Sequence, residues 1–358
     1  MKISKRKKRV AVIFGGTGPE HDVSVRSAEN FISALSDTEF SPLPIYVSKS
    51  GTFKMFSPRV SVFKMASGEA VGINTYPVRV GCKRGFLYPF GVLPVFAAIP
   101  LLHGEGGEDG TVAGALACAG IDYSGADTVS CALCYNKAYT KAIAETVGIP
   151  TVPWVYINKA VRAGEEDSVI AEVEGSLDYP VFVKPATLGS SIGCSAVYGR
   201  DELIPAIRAA AALSAGKVIV EKMIEAPIEL EVAYYEDKCK EIYTNPGEIT
   251  YKDGFYSFEE KYSPSSSARV LPVSESGDFA ELVKGYSRSL VSAIGITHMC
   301  RIDFFVSAGV VYFNEINTIP GMTQSSLYPR MLAECGISPK NMAEGLVLSA
   351  VHRNDWRL

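Results

Sequence analysis

The stretch "RIDFFVSAGVVYFNEIN" (residues 301–317) has the pattern of two β-strands joined by a turn at "SAG". Residues two apart in a strand share a face. Arg301 and Asp303 therefore point together from the first strand, as do Glu315 and Asn317 from the second. The flanks "FFV" and "VVYF" predict burial, and unpaired charges on a buried sheet are costly. The pattern thus indicates either a face open to water or a face that something occupies.

If the two strands pair, three oxygen-bearing side chains and one guanidinium converge. Carboxylate and amide oxygens, here from Asp303, Glu315 and Asn317, suit Mg²⁺, which leaves its other positions to phosphate and water. A neighbouring arginine, Arg301, suits an anionic transition state. The alternative interpretation is a solvent-facing cluster of salt bridges.

The bulk composition is that of a soluble globular protein. A chain of 358 residues with 47% hydrophobic and 21% charged residues is long enough for two or three domains. A net charge of −4 and a pI near 5.7 argue against a nucleic-acid binder. The longest apolar run, "VLPVFAAIPLL", is too short to span a bilayer. The basic start "MKISKRKKR" leads into "VAVIF", which is too short for the core of a signal peptide.

The eight cysteines are scattered and lie mostly in apolar segments. In a chain of this size they predict free buried thiols in a reducing compartment, so we expect a cytoplasmic protein. "CALC" is a single Cys-x-x-Cys pair, for which zinc or redox chemistry is the alternative interpretation.

The order of predicted elements divides the chain into three units. Strands and helices alternate as in a parallel α/β domain through 1–128. A compact α+β unit follows over 129–225, and its first helix is predicted to run unbroken through "CALCYNKAYTKAIAETVG". The third unit, 226–358, contains a polar loop near 251–269, a long helix, the hairpin and a terminal helix.

Two segments of the central unit have the features of a nucleotide site. "VFVKPATLGSSIG" places Lys184 at a strand end before a Gly/Ser loop with Ser190 and Ser191, and such a loop can wrap phosphate oxygens. "VIVEKMI" ends in Glu221 and Lys222 and could present backbone groups to an adenine edge. The alternatives are a flexible turn and a solvated strand end.

Three further segments place polar groups beside predicted strand ends. "GGTGPEHDVS" places Glu20 at the mouth of an α/β sheet, where ligands often bind. "LLHGEGGEDGT" places His103 near Glu108, and a carboxylate can orient a histidine. "NTIPGMTQSS" forms a turn at Pro320-Gly321, followed by hydroxyls that could hold a carboxylate. Each segment also fits an ordinary structural strand end or surface turn.

Taken together and in this order, these segments resemble the D-alanine–D-alanine ligases, members of the ATP-grasp superfamily. The resemblance extends from "VAVIFGG" through "PGMTQSSLYP". It implies a three-domain ATP-grasp fold, α/β and α+β, with an N-terminal parallel-sheet domain and with ATP held between the central and C-terminal domains.

The resemblance also implies a role for each matching residue. The catalytic residues would be Glu20, Ser190, Tyr262, Arg301 and Gly321. The substrate-binding residues would be His103, backed by Glu108, with Lys261, Ser326 and Leu327. The ATP-binding residues would be Lys137, Lys184, Ser190, Ser191, Glu221, Lys222, Ile224 and Glu229. The metal ligands would be Asp303, Glu315 and Asn317.

The implied reaction joins two D-alanine molecules at the expense of ATP, through an acyl phosphate, for peptidoglycan precursor synthesis. The cofactors would be two Mg²⁺ ions, which Mn²⁺ can replace, and the protein would be a homodimer that binds neither nucleic acid nor membrane. Tyr262 and Leu327 favour D-alanine as the second substrate, while D-serine and D-lactate remain alternatives. A silent Mg·ATP-binding regulatory module is the alternative from another class. One departure from the family is Asn136, where its members usually have aspartate.

Overall fold

The computed structural model describes residues 7–56, 64, 75–81, 84–237, 240–249, 269–270 and 279–352. Most of the predicted polar loop near 251–269, with Lys261 and Tyr262, lies outside the described residues. Helices and sheets alternate in the mixed α/β and α+β arrangement expected of the ATP-grasp fold.

The first sheet has five strands, and the three at one side of it are parallel. Its strand order is β4-β3-β2-β1-β8, and β1 pairs in parallel with both β2 and β8. The elements that build this region are β1 (Lys8–Gly15), α1 (His21–Ser36), β2 (Phe40–Val47), β3 (Phe53–Met55), β4 (Tyr76–Pro77), β5 (Arg79–Val80), β6 (Gly85–Tyr88), β7 (Gly91–Pro94), β8 (Ala97–Pro100) and α2 (Thr111–Cys118).

The N-terminal sheet is parallel at β2, β1 and β8, as expected, and antiparallel at its opposite edge. β3 pairs antiparallel with β2, and β4 pairs antiparallel with β3. The turn over 48–52 is too short for the crossover that parallel strands need, so the chain must fold back on itself. β5, β6 and β7 form a separate antiparallel sheet.

The second sheet is antiparallel, in the order β11-β10-β12-β9, and is covered by two helices. Its core consists only of residues between Val155 and Val220. The elements of this part of the chain are α3 (Thr128–Tyr135), α4 (Lys137–Thr146), β9 (Trp154–Ile157), α5 (Glu166–Glu174), β10 (Val181–Pro185), β11 (Ser195–Val197), α6 (Arg200–Leu213) and β12 (Val218–Lys222).

The helix predicted to run through "CALCYNKAYTKAIAETVG" is broken at Asn136, so that expectation was wrong. Asn136 has an extended backbone (φ −99°, ψ 108°), and its side-chain oxygen accepts the N–H of Ala138 at 3.1 Å. Asparagine is a favoured N-cap because its short side chain satisfies a free backbone donor. Asn136 therefore ends α3 and starts α4, which places Lys137 in the first turn of the new helix.

The third sheet has the order β16-β15-β13-β17-β18, with β14 also paired to β13. Its elements and the helices that pack on it are β13 (Ile228–Asp237), β14 (Lys240–Tyr243), β15 (Gly247–Ile249), β16 (Arg269–Val270), α7 (Phe279–Ile294), β17 (Met299–Ser307), β18 (Val310–Asn317), α8 (Leu327–Glu334) and α9 (Pro339–His352). The predicted hairpin is present as β17 and β18. Its turn residues Ala308 and Gly309 both have positive φ, as a two-residue hairpin turn of type I′ requires.

Two cores join the parts of the chain that are distant in sequence. α9 packs on α1, and one apolar cluster contains Phe31 and Leu35 together with Leu346 and Val347. A second cluster joins α3 and α4 to the third sheet. The boundaries expected at 128 and 225 stay predictions.

The cysteines are free thiols as far as the structure describes them, and Cys131, Cys134 and Cys300 are buried. Within the described ranges, no helix is long and apolar enough to cross a membrane.

Candidate active site

Three carboxylates form a row across neighbouring strands of the third sheet. Glu231 on β13 lies opposite Asp303 on β17, and Asp303 lies opposite Glu315 on β18. Directly opposite residues share a face of a sheet, so the three side chains project to the same side. They are 5%, 12% and 14% exposed. The hairpin face singled out in the sequence is therefore a buried acidic row and not a solvated cluster.

Two cations from the same region neutralise much of this row. The Arg301 guanidinium donates from Nε to Asp303 at 2.8 Å and from Nη2 at 2.6 Å, and its Nε lies 3.2 Å from Glu231. At the other end, Lys137 Nζ lies 3.1 Å from Glu315. Burial alone would lower the pKa of Arg301, but Asp303 and Glu231 raise it well above its usual value.

Two cavities meet at this row, and both are lined by Ser190, Glu231 and Glu315. The first cavity contains residues predicted to bind amino acids and to stabilise the reacting carbonyl: Glu20, His103, Glu108, Arg301, Gly321, Ser326 and Leu327. It also contains Asn317, which was predicted to bind metal. The second contains residues predicted to bind ATP and metal: Lys137, Lys184, Ser191, Glu229 and Asp303. The acidic row thus lies where two groups, one in each cavity, could react.

The Gly/Ser loop closes over the boundary between the two cavities. Ser190 and Ser191 both have positive φ, 56° and 58°, which is strained for residues other than glycine. The Ser190 hydroxyl donates to the Glu20 carboxylate at 2.5 Å. Lys137 Nζ donates to the Leu188 carbonyl at 2.5 Å. These contacts hold the strained loop against the first turn of α1 and the start of α4.

A buried ion triad supports the second cavity from behind. Glu221 lies between Lys184 at 2.6 Å and Lys141 at 3.0 Å, and Lys141 Nζ also donates to the Phe313 carbonyl at 3.2 Å. Burial alone would raise the pKa of Glu221, but the two lysines lower it to about 2. Burial lowers the pKa of Lys141, because its effect exceeds the opposing attraction of Glu221. Burial also acts to lower the pKa of Lys184, but the attraction of Glu221 is stronger and raises that pKa.

Comparison with known proteins identifies the family. The family model described as "D-ala D-ala ligase N-terminus" matches residues 9–126, and the model described as "D-ala D-ala ligase C-terminus" matches residues 143–348. The chain belongs to the D-alanine–D-alanine ligase family.

Individual members of this family match nearly the whole chain. The D-alanine–D-alanine ligase of Caldicellulosiruptor bescii is 32% identical over 97% of this chain and 96% of its own length. The D-alanine–D-alanine ligase of Chlorobium chlorochromatii is 36% identical over 94% of this chain and 96% of its own length. The solved VanG D-Ala:D-Ser ligase from Enterococcus faecalis superposes with a TM-score of 0.84 at 31% identity, over 96% of this chain and 100% of that one. The solved D-alanine–D-alanine ligase from Coxiella burnetii superposes with a TM-score of 0.83 at 25% identity, over 99% of this chain and 96% of that one.

The hydrogen-bond partners of His103 differ from the sequence-based expectation. Glu108 was expected to back His103, but its Oε2 accepts the N–H of Gly104 at 3.2 Å. His103 Nε2 instead lies 3.3 Å from the hydroxyl of Ser27, which also accepts the N–H of Met322 at 3.1 Å. Ser27 is fully buried on α1. It therefore ties this histidine to the turn that carries the Gly321 N–H.

The Glu108 carboxyl group in the first cavity has a strongly raised pKa. Burial raises its pKa, and the negative charge of Glu20 raises it further, to about 8, against a small opposing effect of the Gly104 N–H. Burial disfavours the charged form of His103 as well, and because that form is the protonated one, the pKa of His103 is lowered. At neutral pH the pair is therefore largely uncharged, so Glu20, Glu231, Glu315 and Arg301 are the charged groups that line this cavity.

The turn after β18 is compact around Ser326. The Ser326 hydroxyl accepts the N–H of Thr323 at 3.2 Å and lies 2.7 Å from the Thr323 hydroxyl. A Cβ at Gly321 would lie 2.9 Å from the same oxygen, so a side chain at this position would displace the Ser326 hydroxyl. Leu327 follows as the first residue of α8 and is buried against the core.

The residues predicted to bind metal fit a hard cation. Asp303, Glu315 and Asn317 offer two carboxylates and an amide, and the Asn317 Nδ2 donates to Asp303 at 3.1 Å. In the described part of the chain, no group of three or more His, Cys, Asp or Glu residues is arranged to hold a metal ion. Carboxylate and amide oxygens suit Mg²⁺, which takes few protein ligands and keeps phosphate and water for its other positions.

Some predicted residues lie elsewhere. The Glu221 carboxylate contacts two lysines behind the second cavity, and Lys222 and Ile224 line neither cavity as the described residues define them.

Sequence reasoning missed three buried polar residues: Glu231, Lys141 and Ser27. For two of them, the spacing from a predicted site residue could have indicated the same strand face or helix face. Glu231 follows Glu229 by two positions, and Lys141 lies one helical turn after Lys137. Ser27 left no such signal in the sequence.

Proposed function

We propose that this chain joins two D-alanine molecules, using ATP, to form D-alanyl-D-alanine, ADP and phosphate. The observation that carries the proposal is the meeting of the two cavities at Ser190, Glu231 and Glu315. One cavity has the lysines and the loop that suit ATP phosphates, and the other has the charged and hydroxyl groups that suit an amino acid. Membership of the ligase family supports the same conclusion.

In the first step, a carboxylate oxygen of the first D-alanine attacks the γ-phosphorus of ATP, and ADP leaves. Lys137 and Lys184 would hold the phosphates, and Glu20 would take the ammonium group of this D-alanine. Fixed positive charges act strongly here because the site is buried and needs no reorganisation as charge develops. Asp303, Glu315 and Asn317 would hold Mg²⁺, which neutralises phosphate charge when bound.

In the second step, the amine of the second D-alanine attacks the acyl carbon, and phosphate leaves. Ser326 would bind the carboxylate of this second substrate. Arg301 and the Gly321 N–H would stabilise the oxygen that gains negative charge. The short Ser190–Glu20 hydrogen bond supports a closed arrangement that keeps water from the acyl phosphate.

A second candidate is a D-alanine–D-serine ligase. The likeness to the VanG D-Ala:D-Ser ligase, at 31% identity and a TM-score of 0.84, favours it. Leu327, which is apolar and buried beside the first cavity, favours D-alanine.

The test is product analysis by mass spectrometry with D-alanine alone and in competition with D-serine and D-lactate, together with measurement of ATP-dependent phosphate release. We expect D-alanyl-D-alanine as the main product. Predominance of the mixed dipeptide would instead support the second candidate. Absence of phosphate release with every mixture would reject both and favour a silent nucleotide-binding module.

Three further features implied by the family resemblance stay predictions: two Mg²⁺ ions per site, a homodimer and a cytoplasmic location. Metal titration, light scattering and cell fractionation test them in turn.

A further inference from the structure

Glu231 is the member of the acidic row for which the sequence supplied no role. It is buried and lies opposite Asp303, on the side away from Glu315. It also lines both cavities. A buried carboxylate at the junction of two sites calls for an explanation because its burial is costly unless it is paired.

The contact that distinguishes Glu231 is with Arg301. The Nε of Arg301 is shared, at 2.8 Å from Asp303 Oδ1 and 3.2 Å from Glu231 Oε1. The Arg301 side chain is only 18% exposed, so its guanidinium depends on carboxylates and not on water. Among the residues that the structure describes, Asp303 and Glu231 are the two carboxylates that contact the Arg301 guanidinium.

These contacts give Asp303 two competing tasks under the proposed function. It would serve as a metal ligand, yet it is the main partner of Arg301. A carboxylate that turns to a metal ion binds a guanidinium less well, and a buried guanidinium without a partner is strongly unfavourable. Lys137 pairs with Glu315 and leaves Asp303 and Glu231 to Arg301. Glu231 is placed to keep that pairing when Asp303 is engaged.

We propose that Glu231 is a positioning residue for Arg301, which holds the guanidinium in the first cavity while Asp303 serves the metal ion. This inference rests on the proposed function. It separates two roles within one row: Asp303 and Glu315 for the metal, and Glu231 for the arginine.

The decisive experiment measures Mn²⁺ binding by electron paramagnetic resonance in the presence of ADP and without D-alanine, so that no turnover is needed. The proteins are wild type, Glu231→Gln, Arg301→Met and the double variant. In Glu231→Gln, Asp303 is the partner left to Arg301, so metal must compete with the arginine. We expect affinity for Mn²⁺ to fall about tenfold, as is typical for loss of a group that supports a metal ligand.

The same change on the Arg301→Met background should have almost no effect, within about twofold, because the competitor has been removed. An equal loss on both backgrounds would make Glu231 a metal ligand itself and overturn the proposal. No loss on either background would also overturn it.

Kinetics give an independent readout. At saturating Mg²⁺ and ATP, Glu231→Gln should lower kcat for phosphate release, and Glu231→Asp, which keeps the charge, should recover part of the loss. Glu248→Gln is the matched control, because it lies opposite Leu230 on the other face of the same strand pair. A rise in the KM for ATP with unchanged kcat would contradict the proposal.

If Glu231→Gln does not fold, Glu231→Asp keeps the question testable, because it retains the carboxylate at a shorter reach. We expect its affinity for Mn²⁺ to fall on the wild-type background and to change by less than about twofold on the Arg301→Met background. An equal loss on both backgrounds would overturn the proposal. If wild type binds Mn²⁺ with ADP but releases no phosphate, the proposed function fails separately from this inference.

Discussion

Ser190 donates a hydrogen bond to Glu20, which lies 170 positions earlier in the sequence. This contact joins the Gly/Ser loop to the residue that precedes α1. Glu20 follows β1 of the first sheet, Ser190 follows β10 of the second sheet, and the two residues meet where the two cavities join. Ser190 has a strained backbone, so the contact helps to hold a loop conformation that the chain would not adopt alone.

A double-mutant cycle on this pair should show strong coupling. Ser190→Ala and Glu20→Gln should each lower kcat/KM for D-alanine, and the double variant should lose less than the sum, with a coupling energy of about 1–3 kcal/mol. Ser289→Ala, an exposed serine on α7, is the control for the serine-to-alanine change. Simple additivity would show that the hydrogen bond has no part in substrate binding.

Lys141→Met should destabilise the protein and weaken ATP binding. Glu221 would keep Lys184 as its remaining lysine partner, and removing one member of a buried ion network costs about 3–5 kcal/mol. Urea unfolding measures the stability, and the KM for ATP reports on Lys184, which Glu221 would draw away from the phosphates. Lys159→Met, at an exposed position, is the control. Unchanged stability would show that the triad contributes nothing.

Asn136→Ala should reduce stability by about 1 kcal/mol, because the N-cap of α4 is lost. Asn136→Asp should retain stability, because a carboxylate can also accept the N–H of Ala138. Since Lys137 is the first residue of α4, the alanine variant should also raise the KM for ATP. Denaturant unfolding and steady-state kinetics test both effects, and equal behaviour of the two variants would contradict the capping role.

Glu108→Gln should change how stability depends on pH. The pKa of Glu108 is raised from 4.5 to about 8 in the folded protein, so the folded state holds a proton that the unfolded chain releases between these values. This group therefore favours folding most below its unfolded pKa, and its contribution is lost as pH rises toward 8, by about 1.4 kcal/mol per pH unit. Glutamine stays neutral and can still accept the Gly104 N–H.

The variant should consequently be more stable than wild type at roughly pH 8, with little difference at roughly pH 5. Urea unfolding at several pH values measures this. A variant that is less stable than wild type at the higher pH would mean that Glu108 is ionised in the folded protein.

The hairpin shows how far strand alternation reaches as a predictor. It placed Arg301, Asp303, Glu315 and Asn317 on one face correctly, because they lie close to the paired ends of the strands. Continued alternation would also put Phe313 on that face. The register shifts beyond Asp303, and Phe313 is fully buried in the core opposite Phe304. A bulge of this kind has no clear sequence signal, because it depends on what each side chain can pack against.

Contacts between distant segments could not be predicted in the same way. The capping role of Asn136 was readable in principle, since asparagine is a known helix start, yet the apolar pattern on both sides favoured one continuous helix. The link from Ser27 to His103 and Met322 joins parts of the chain 76 and 295 positions away. Only the packing of α1 against the third part of the chain brings these groups together, and no local pattern encodes that packing.

The shared core of α1 and α9 bears on the order in which the chain folds during synthesis. Phe31 and Leu35 bury one face of α1 against Leu346 and Val347, which the ribosome adds some 300 residues later. The central sheet has its own core between 155 and 220 and can collapse as soon as it emerges. The apolar surface of α1 in the N-terminal unit instead stays uncovered until α9 has been synthesised. We therefore expect nascent chains that lack α9 to be the species most prone to aggregate.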